Sequence, residues 1–253
     1  MLKEIKPILS AAADLIFPVV CPACRQHPAS GQGFLCDDCR VELLTQISIT
    51  YCPRCGNTLG KNVPAPLAGC GLCPNPLPRF DTIIRLGEYA SPTRDLIRRL
   101  KHFPSSSYVG ILADMLAASI TARGVEFDCI LSVPMHLRRR LLRGSNHVDP
   151  LAAALAKRLK LPLDPSLVRI RNTPPQVHLP RTERLKNVKN AFAVRRAKHL
   201  ENKTILLLDD VTTTGATADE CVRTLRRAGV AAVHFAVLAK TVHPSQKEKE
   251  EES

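Results

Sequence analysis

Four Cys-x-x-Cys pairs near the amino terminus constrain the fold of this chain more than any other feature. The pairs are separated by 11, 12 and 14 residues, and they are Cys21/Cys24, Cys36/Cys39, Cys52/Cys55 and Cys70/Cys73. Two thiolates two residues apart on a tight turn can face one ion, and two such turns complete the tetrahedral four-sulfur shell that structural zinc prefers. The spacing therefore predicts two zinc ions.

The ligands can be paired in two ways. Sequential pairing joins the first pair to the second and the third to the fourth through short loops, whereas interleaved pairing would cross-link the module. We favour the sequential arrangement, and the sequence leaves the other open. A single pair could equally be a redox centre or two buried cysteines, but four regular pairs without an export signal favour zinc, because disulfides do not persist in a reducing cytosol. Closed four-cysteine sites make this zinc structural rather than catalytic.

The cysteine distribution also predicts the domain organisation. Eight of the ten cysteines fall within residues 21–73, and the remaining two are Cys129 and Cys221. A length of 253 residues with 45% hydrophobic side chains is enough for a second, larger domain with its own core. We expect a short N-terminal helix over residues 1–20, a double zinc-ribbon module over 21–78, an α/β domain over 79–243 and a disordered charged tail over 244–253.

The apolar stretch from Ile8 to Val20 is interrupted by Asp14 and broken by Pro18. It is too short to cross the ~30 Å hydrocarbon core of a bilayer, and no small-residue cleavage site follows it. We therefore expect no membrane insertion and a cytoplasmic protein.

A strand, a loop and a helix are predicted near the carboxyl end of the chain. Ile205 to Leu208 is a continuous apolar run, which is typical of a strand buried on both faces of a parallel sheet. From Ala216 the sequence becomes helical until Gly229, and Ala231 to Ala239 forms a second apolar strand. A right-handed crossover would place both strands in one parallel sheet flanked by helices.

The connecting loop is rich in hydroxyl groups and small residues. Its candidate phosphate-binding residues are Thr213, Thr214, Gly215, Ala216 and Thr217. Backbone N–H groups at a helix amino terminus form an anion site suited to a phosphate, and a glycine allows close backbone approach. Asp209 and Asp210 are predicted to end the strand at the sheet edge where ligands bind in open α/β folds. Their carboxylates could hold vicinal hydroxyls or a hydrated Mg²⁺.

This loop has neither the Gly-Lys-Ser/Thr of a P-loop nor the spaced glycines of a dinucleotide fold. It resembles the 5-phosphoribosyl-1-pyrophosphate (PRPP) signature of the type I phosphoribosyltransferases, and the resemblance implies that Asp209 and Asp210 are catalytic residues. A second buried strand, Phe127 to Pro134, precedes a basic segment. The resemblance implies that Arg138, Arg143 and Asn146 in that segment line the pyrophosphate pocket.

Taken together, these motifs resemble the ComF family. Further matching segments are Asp95–Lys101, Arg171–Gln176, Arg184–Asn187 and Ala191–Phe192. The family implies a phosphoribosyltransferase-like parallel sheet flanked by helices and preceded by a small zinc-ribbon module, with PRPP or a nucleotide and Mg²⁺ as ligands. One departure is Ser145 and His147, where the family usually has Phe and Gln, and this changes the base-side pocket.

The polar, proline-interrupted segment Arg171 to Asn190 resembles the mobile loop that closes over the sugar phosphate in such transferases, with Arg181 and Arg184 as its cations. Closure would exclude water and stabilise the charge of a departing pyrophosphate. The alternative is a solvated basic linker.

Charge bears on the function. The chain has 36 Lys and Arg against 23 Asp and Glu, and residues 134–200 hold sixteen of the cations against three acids. Such a density favours nucleic acid or phosphorylated small molecules, although a solvated basic surface is the alternative. Ten Phe and Tyr with no Trp offer few stacking platforms for bases.

Three functions remain open at this point. The family resemblance implies DNA uptake in competence, with binding of single-stranded DNA beside a helicase and of PRPP in the transferase pocket. The alternatives are an active phosphoribosyltransferase of nucleotide salvage and a PRPP-sensing regulator without turnover.

Overall fold

A computed structural model describes residues 20–27, 29, 35–59, 63–102, 108–136, 146, 148–174 and 181–241. Three sequence predictions fall outside these residues: the N-terminal helix, the pocket arginines Arg138 and Arg143, and the charged tail. Among the helices that are described, none has both the length and the apolar character needed to span a membrane.

Helices and strands alternate along most of the described chain. The helices are α1 (Asp37–Ser48), α2 (Thr93–His102), α3 (Tyr108–Thr121), α4 (Val148–Leu159), α5 (Arg181–Val188) and α6 (Ala216–Arg227). The strands are β1 (Thr82–Glu88), β2 (Cys129–Ser132), β3 (Leu167–Arg169), β4 (Phe192–Val194), β5 (Thr204–Thr212) and β6 (Ala232–Lys240). A 3₁₀ turn (Ala197–Leu200) precedes β5.

Four of these strands form a parallel sheet in the order β1-β6-β5-β2. Strands β3 and β4 form a separate antiparallel ribbon. The predicted strand, helix and strand of the carboxyl-terminal part are β5, α6 and β6, which lie side by side as expected for a parallel crossover. The predicted α/β fold with a parallel sheet flanked by helices is confirmed.

The apolar run in β5 is buried on both faces of the sheet. Ile205 and Leu207 pack in a core that includes α6, whereas Leu206 and Leu208 pack in a second core that includes α3 and α4. All four side chains are fully buried. Because successive side chains of a strand point to opposite faces, a continuous apolar run is what this position requires.

Strand β5 is longer than the apolar run that predicts it. Asp209 and Asp210 were expected to end the strand, but the ladder continues to Thr212, with Asp209 opposite Val237 and Thr212 opposite Lys240 of β6. Strand β6 pairs with this polar extension, and the side chains of Asp209 and Asp210 accept from the amides of Asp210 and Val211 at 2.9 Å and 2.7 Å. Strand β2, in contrast, ends at Ser132 and is shorter than the predicted segment.

The cysteine-rich part of the chain covers the edge strand β1. The backbone N–H of Ile83 donates to the carbonyl of Pro53 at 2.8 Å. The buried guanidinium of Arg85 lies 4.9 Å from the ring centroid of Tyr51 and donates to Thr58 Oγ1 at 2.7 Å. Exposed edge strands invite pairing with other chains, so this contact protects the sheet.

Candidate phosphate site and zinc centres

The eight clustered cysteines form two groups of four. One group is Cys21, Cys24, Cys36 and Cys39, and the other is Cys52, Cys55, Cys70 and Cys73; within each, the sulfur atoms lie within 4.8 Å of one another. A tetrahedral zinc with bonds of about 2.3 Å requires sulfur atoms about 3.8 Å apart. The Sγ atoms of Cys24 and Cys36 are 3.7 Å apart, and those of Cys52 and Cys73 are 3.6 Å apart. Both groups fit a structural zinc, and the sequential pairing is confirmed.

Local backbone geometry brings each pair of thiols to one side. Cys36 immediately precedes α1, so Cys39 lies in the first turn of that helix. In the second centre, the N–H of Gly56 donates to the carbonyl of Cys52 at 2.8 Å, and Gly56 has a φ of 76°, which favours glycine. The amide of Cys70 donates to Cys73 Sγ at 3.3 Å.

The two remaining cysteines belong to the core of the α/β domain. Cys129 and Cys221 are buried, and burial raises the pKa of the Cys129 thiol to about 11. A thiol with a raised pKa is a poor nucleophile and a poor metal ligand at neutral pH.

The predicted phosphate loop lines a cavity of about 360 Å³ at the carboxyl edge of the sheet. Its lining includes Asp209 and all five residues from Thr213 to Thr217, together with Lys101, Arg184 and Tyr89. A volume in this range suits a small ligand. The structure therefore brings the first predicted carboxylate and the whole predicted loop together, as the sequence analysis required.

The loop leads directly into a helix amino terminus. Gly215 caps α6 with a φ of 76°, and the helix begins at Ala216. The amide of Asp219 donates to the carbonyl of Gly215 at 2.8 Å, which closes the first helical turn. Backbone N–H groups at the start of a helix are donors that an anion at the helix end can accept from.

The two acidic residues are adjacent near the end of β5, and the backbone N–H of Asp210 donates to Asp209 Oδ1 at 2.9 Å. Asp209 lines the cavity, whereas the carboxylate of Asp210 pairs with Lys101 Nζ at 3.0 Å. Burial raises the pKa of Asp209 well above its usual range, and the charge of Asp210 raises it further. Lys101 acts in the opposite direction, because its positive charge lowers the pKa of Asp209.

Lys101 is a site residue that sequence reasoning did not identify. It lies in the last turn of α2, within a segment used only to support the family resemblance. Nothing in the local sequence pattern shows that the last turn of α2 lies near the end of β5. The role of Lys101 is visible only from its position in the folded protein. Lys101 brings a positive charge to both acids.

Helix α5 lies within the segment predicted to be a mobile loop. Arg184 on this helix donates from Nη1 to Thr213 Oγ1 at 2.5 Å, so it reaches the phosphate loop. Asn187 donates to the carbonyl of Pro174 at 3.0 Å and anchors the helix to the preceding segment. The helix begins at Arg181, whose side chain is outside the described part of the structure.

Asn146 lies at the same edge of the sheet but in a different cleft. This cleft of about 560 Å³ is also lined by Ser132, Pro134 and Asp149. The buried Asn146 donates from Nδ2 to Asp149 Oδ1 at 2.8 Å. Asn146 is therefore held by its own helix start rather than placed in the phosphate cavity.

Comparisons with known proteins match both parts of the chain. Residues 12–76 match the double zinc ribbon domain, and residues 149–253 match the phosphoribosyl transferase domain. The fold and the site thus define a phosphoribosyltransferase-like protein with an N-terminal double zinc ribbon.

Relatives that span nearly the whole chain define the family more narrowly. The chain is 32% identical over 235 residues to the DNA utilization protein YhgH of Escherichia coli (strain K12), covering 90% of this chain and 100% of the relative. It is 30% identical over 228 residues to Competence protein F of Haemophilus influenzae, covering 87% and 96%. The chain belongs to the ComF family.

Solved structures add a weaker likeness. The glutamine phosphoribosylpyrophosphate amidotransferase from B. subtilis is 21% identical, covers 52% of this chain and 26% of its own, and aligns with a TM-score of 0.36.

The separation of the two cysteine groups predicts independent metal sites. We expect two zinc ions per chain in the wild type and one after either Cys24→Ser or Cys73→Ser, because the groups share no ligand. Metal content is measured by plasma mass spectrometry after exposure to a mild chelator under reducing conditions. Loss of both ions from one single-site variant would contradict separate centres.

Proposed function

We propose that this protein binds PRPP or a related nucleotide with Mg²⁺ in the cavity at the α6 amino terminus, and that it acts in DNA uptake through binding of single-stranded DNA. The observation that carries the proposal is the convergence of Asp209 and the loop from Thr213 to Thr217 on one cavity. The ligand, the metal and the DNA are all parts of the proposal.

The loop suits the 5-phosphate of a ribose. Helix N–H groups and the hydroxyls of Thr213, Thr214 and Thr217 supply donors around the cavity, and the positive end of the α6 dipole favours an anion there. Arg184 adds a cation at the loop, where it can contact the same phosphate.

The carboxylates suit the remainder of the ligand. Asp209, which lines the cavity, would accept hydrogen bonds from the ribose hydroxyls, and Asp210 would add a second carboxylate beside it after release from Lys101. Bound Mg²⁺ would supply positive charge that favours ionised carboxylates and neutralises a pyrophosphate. Lys101 lines the same cavity, so its ammonium could pair with a phosphate of the ligand.

The family supports the DNA part of the proposal. Its members include proteins named for DNA utilization and for competence. A groove of about 930 Å³ on the described surface is lined by Arg195, Arg196 and Lys198, whose side chains are exposed. Exposed cations along a groove suit a phosphate backbone. A competence helicase is the partner that the family resemblance implies.

Catalysis is the second candidate, favoured by the contact of Arg184 with the phosphate loop. A cation in this position could stabilise the pyrophosphate as it departs from the ribose. Pyrophosphate release from PRPP, measured with a panel of bases, separates an active phosphoribosyltransferase from a protein that binds PRPP as a sensor or cofactor.

The cavity assignment predicts stabilisation by ligand. PRPP with Mg²⁺ at about 100 times its dissociation constant should raise the melting temperature of the wild type by roughly 5–10 °C. Asp209→Asn combined with Asp210→Asn should abolish the shift, because the amides keep the shape of the side chains but cannot carry the negative charge. Differential scanning fluorimetry provides the measurement.

The matched control is Asp37→Asn with Asp38→Asn, a second adjacent pair of acids that lies exposed at the start of α1. This control should keep the full ligand shift. A shift of equal size in both double variants would discard the assignment of the β5 acids.

The groove predicts salt-dependent binding of single-stranded DNA. In fluorescence anisotropy with a labelled oligonucleotide, the affinity should fall steeply with salt, since each neutralised phosphate contributes about 0.7 to the slope. Arg195→Gln with Lys198→Gln should lower the slope by about 1.4. Lys157→Gln with Lys160→Gln, a matched exposed pair at the end of α4, should change it less. A flat salt response in the wild type would exclude this mode of binding.

A further inference from the structure

The second zinc centre contacts residues that hold the phosphate loop. We propose that the turn from Cys52 to Gly56, here named the zinc turn, positions this loop through Lys240 and through residues 78–81. The occupancy of the second zinc site then controls how well ordered the loop is. The consequence for ligand affinity rests on the proposed function, whereas the consequence for loop order does not.

The first connection runs through the side chain of Lys240. The zinc turn packs closely here, since a Cβ added to Gly56 would lie 3.0 Å from Ile83 Cδ1 and 3.7 Å from Lys240 Cγ. The buried Nζ of Lys240 donates to the carbonyl of Thr213 at 2.5 Å and to that of Thr241 at 3.1 Å. The stem of Lys240 therefore lies beside Gly56, so close that one added methyl group would be in van der Waals contact with it, while its ammonium holds the first residue of the phosphate loop.

A buried ammonium must be hydrogen-bonded, and this requirement gives the contact its strength. Leaving the charge without acceptors would cost far more than a neutral hydrogen bond provides. Lys240 is only 9% exposed, so water cannot easily replace the carbonyl of Thr213. As long as the zinc turn confines the lysine stem, the ammonium and the carbonyl remain together.

The second connection runs through the segment that joins the two parts of the chain. Arg54, between the cysteines of the zinc turn, donates to the carbonyl of Pro78 at 3.1 Å and to that of Asp81. Between these two anchors, the amide of Arg79 donates to Asp219 Oδ1 at 2.6 Å in the first turn of α6. Phe80 fills the space beside Gly215, where an added Cβ would lie 3.7 Å from its ring.

The first zinc centre provides an internal comparison. Its residues Cys21 and Cys36 pack with Leu43 in the core that also contains α3 and α4. Phe80 and Ala216, next to the phosphate loop, belong to the core on the other face of the sheet. The two centres are chemically alike, but within the described ranges the contacts with the supports of the loop come from the second centre.

Hydrogen exchange of the zinc-loaded full-length protein tests the inference without a ligand. Lys240→Met keeps the length of the side chain and removes the ammonium, so amides of residues 213–219 should exchange about tenfold faster, as expected for one charge-assisted hydrogen bond. The matched control is Lys203→Met, which lies just before β5 at the opposite edge of the sheet. This control should leave exchange in residues 213–219 unchanged.

The metal sites give a second comparison. Cys73→Ser, which disrupts the second centre, should speed exchange in the same peptides, whereas Cys24→Ser in the first centre should not. Unchanged exchange in Lys240→Met overturns the proposal, and so does an equal effect of the two cysteine variants. If Cys73→Ser fails to fold, Lys240→Met still decides.

Binding of PRPP with Mg²⁺, measured by calorimetry on the same samples, separates this inference from the proposed function. If the wild type binds no PRPP but Lys240→Met still speeds exchange in the loop, the proposed function is wrong and the support of the loop by Lys240 stands. If the wild type binds PRPP but Lys240→Met changes neither loop exchange nor PRPP affinity, the support of the loop by Lys240 is wrong and the proposed function stands. When both hold, the variant should bind about tenfold more weakly.

Discussion

The structure depends on the position of strand β5, which is paired on both edges and buried on both faces. Its neighbours β2 and β6 fix the register of the backbone, and Ile205 to Leu208 anchor it in two cores at once. A strand held in this way can extend beyond its apolar part, because β6 pairs with it as far as Thr212 and aspartate side chains accept from the amides of Asp210 and Val211. The polar end of β5 therefore delivers Asp209 and the phosphate loop to a defined place. Rigid support of this kind is what a loop that binds phosphate needs.

Sequence reasoning works where one local pattern determines the structure. A continuous apolar run such as that of β5 is typical of a strand buried on both faces, and the spacing of the cysteines is typical of two zinc sites. Both features can therefore be predicted from the sequence alone. It fails where distant residues meet. Neither the salt bridge between Lys101 and Asp210 nor the contact of Lys240 with Thr213 has a local signature, because helix α2 and strand β6 reach the site only through the folded sheet.

The length of β5 shows the same limit on a finer scale. Two acids after an apolar run normally mark the end of a strand, because the side chains prefer water. Here the backbone pairing with β6 outweighs that preference and continues to Thr212, with Asp209 opposite Val237 and Thr212 opposite Lys240. A pair of acids that appears equivalent in the sequence thus becomes two different groups, one in the cavity and one paired with a lysine.

This difference shapes the electrostatics of the site. Asp210 is paired with Lys101, whereas burial and the charge of Asp210 raise the pKa of Asp209. A group whose pKa is raised by folding stabilises the folded state below its unfolded pKa, and this contribution is lost as the pH rises through the raised value. A cation that enters beside Asp209 reverses the balance, because it favours the carboxylate and expels the proton. The affinity of this cavity for Mg²⁺ should therefore increase with pH as Asp209 ionises.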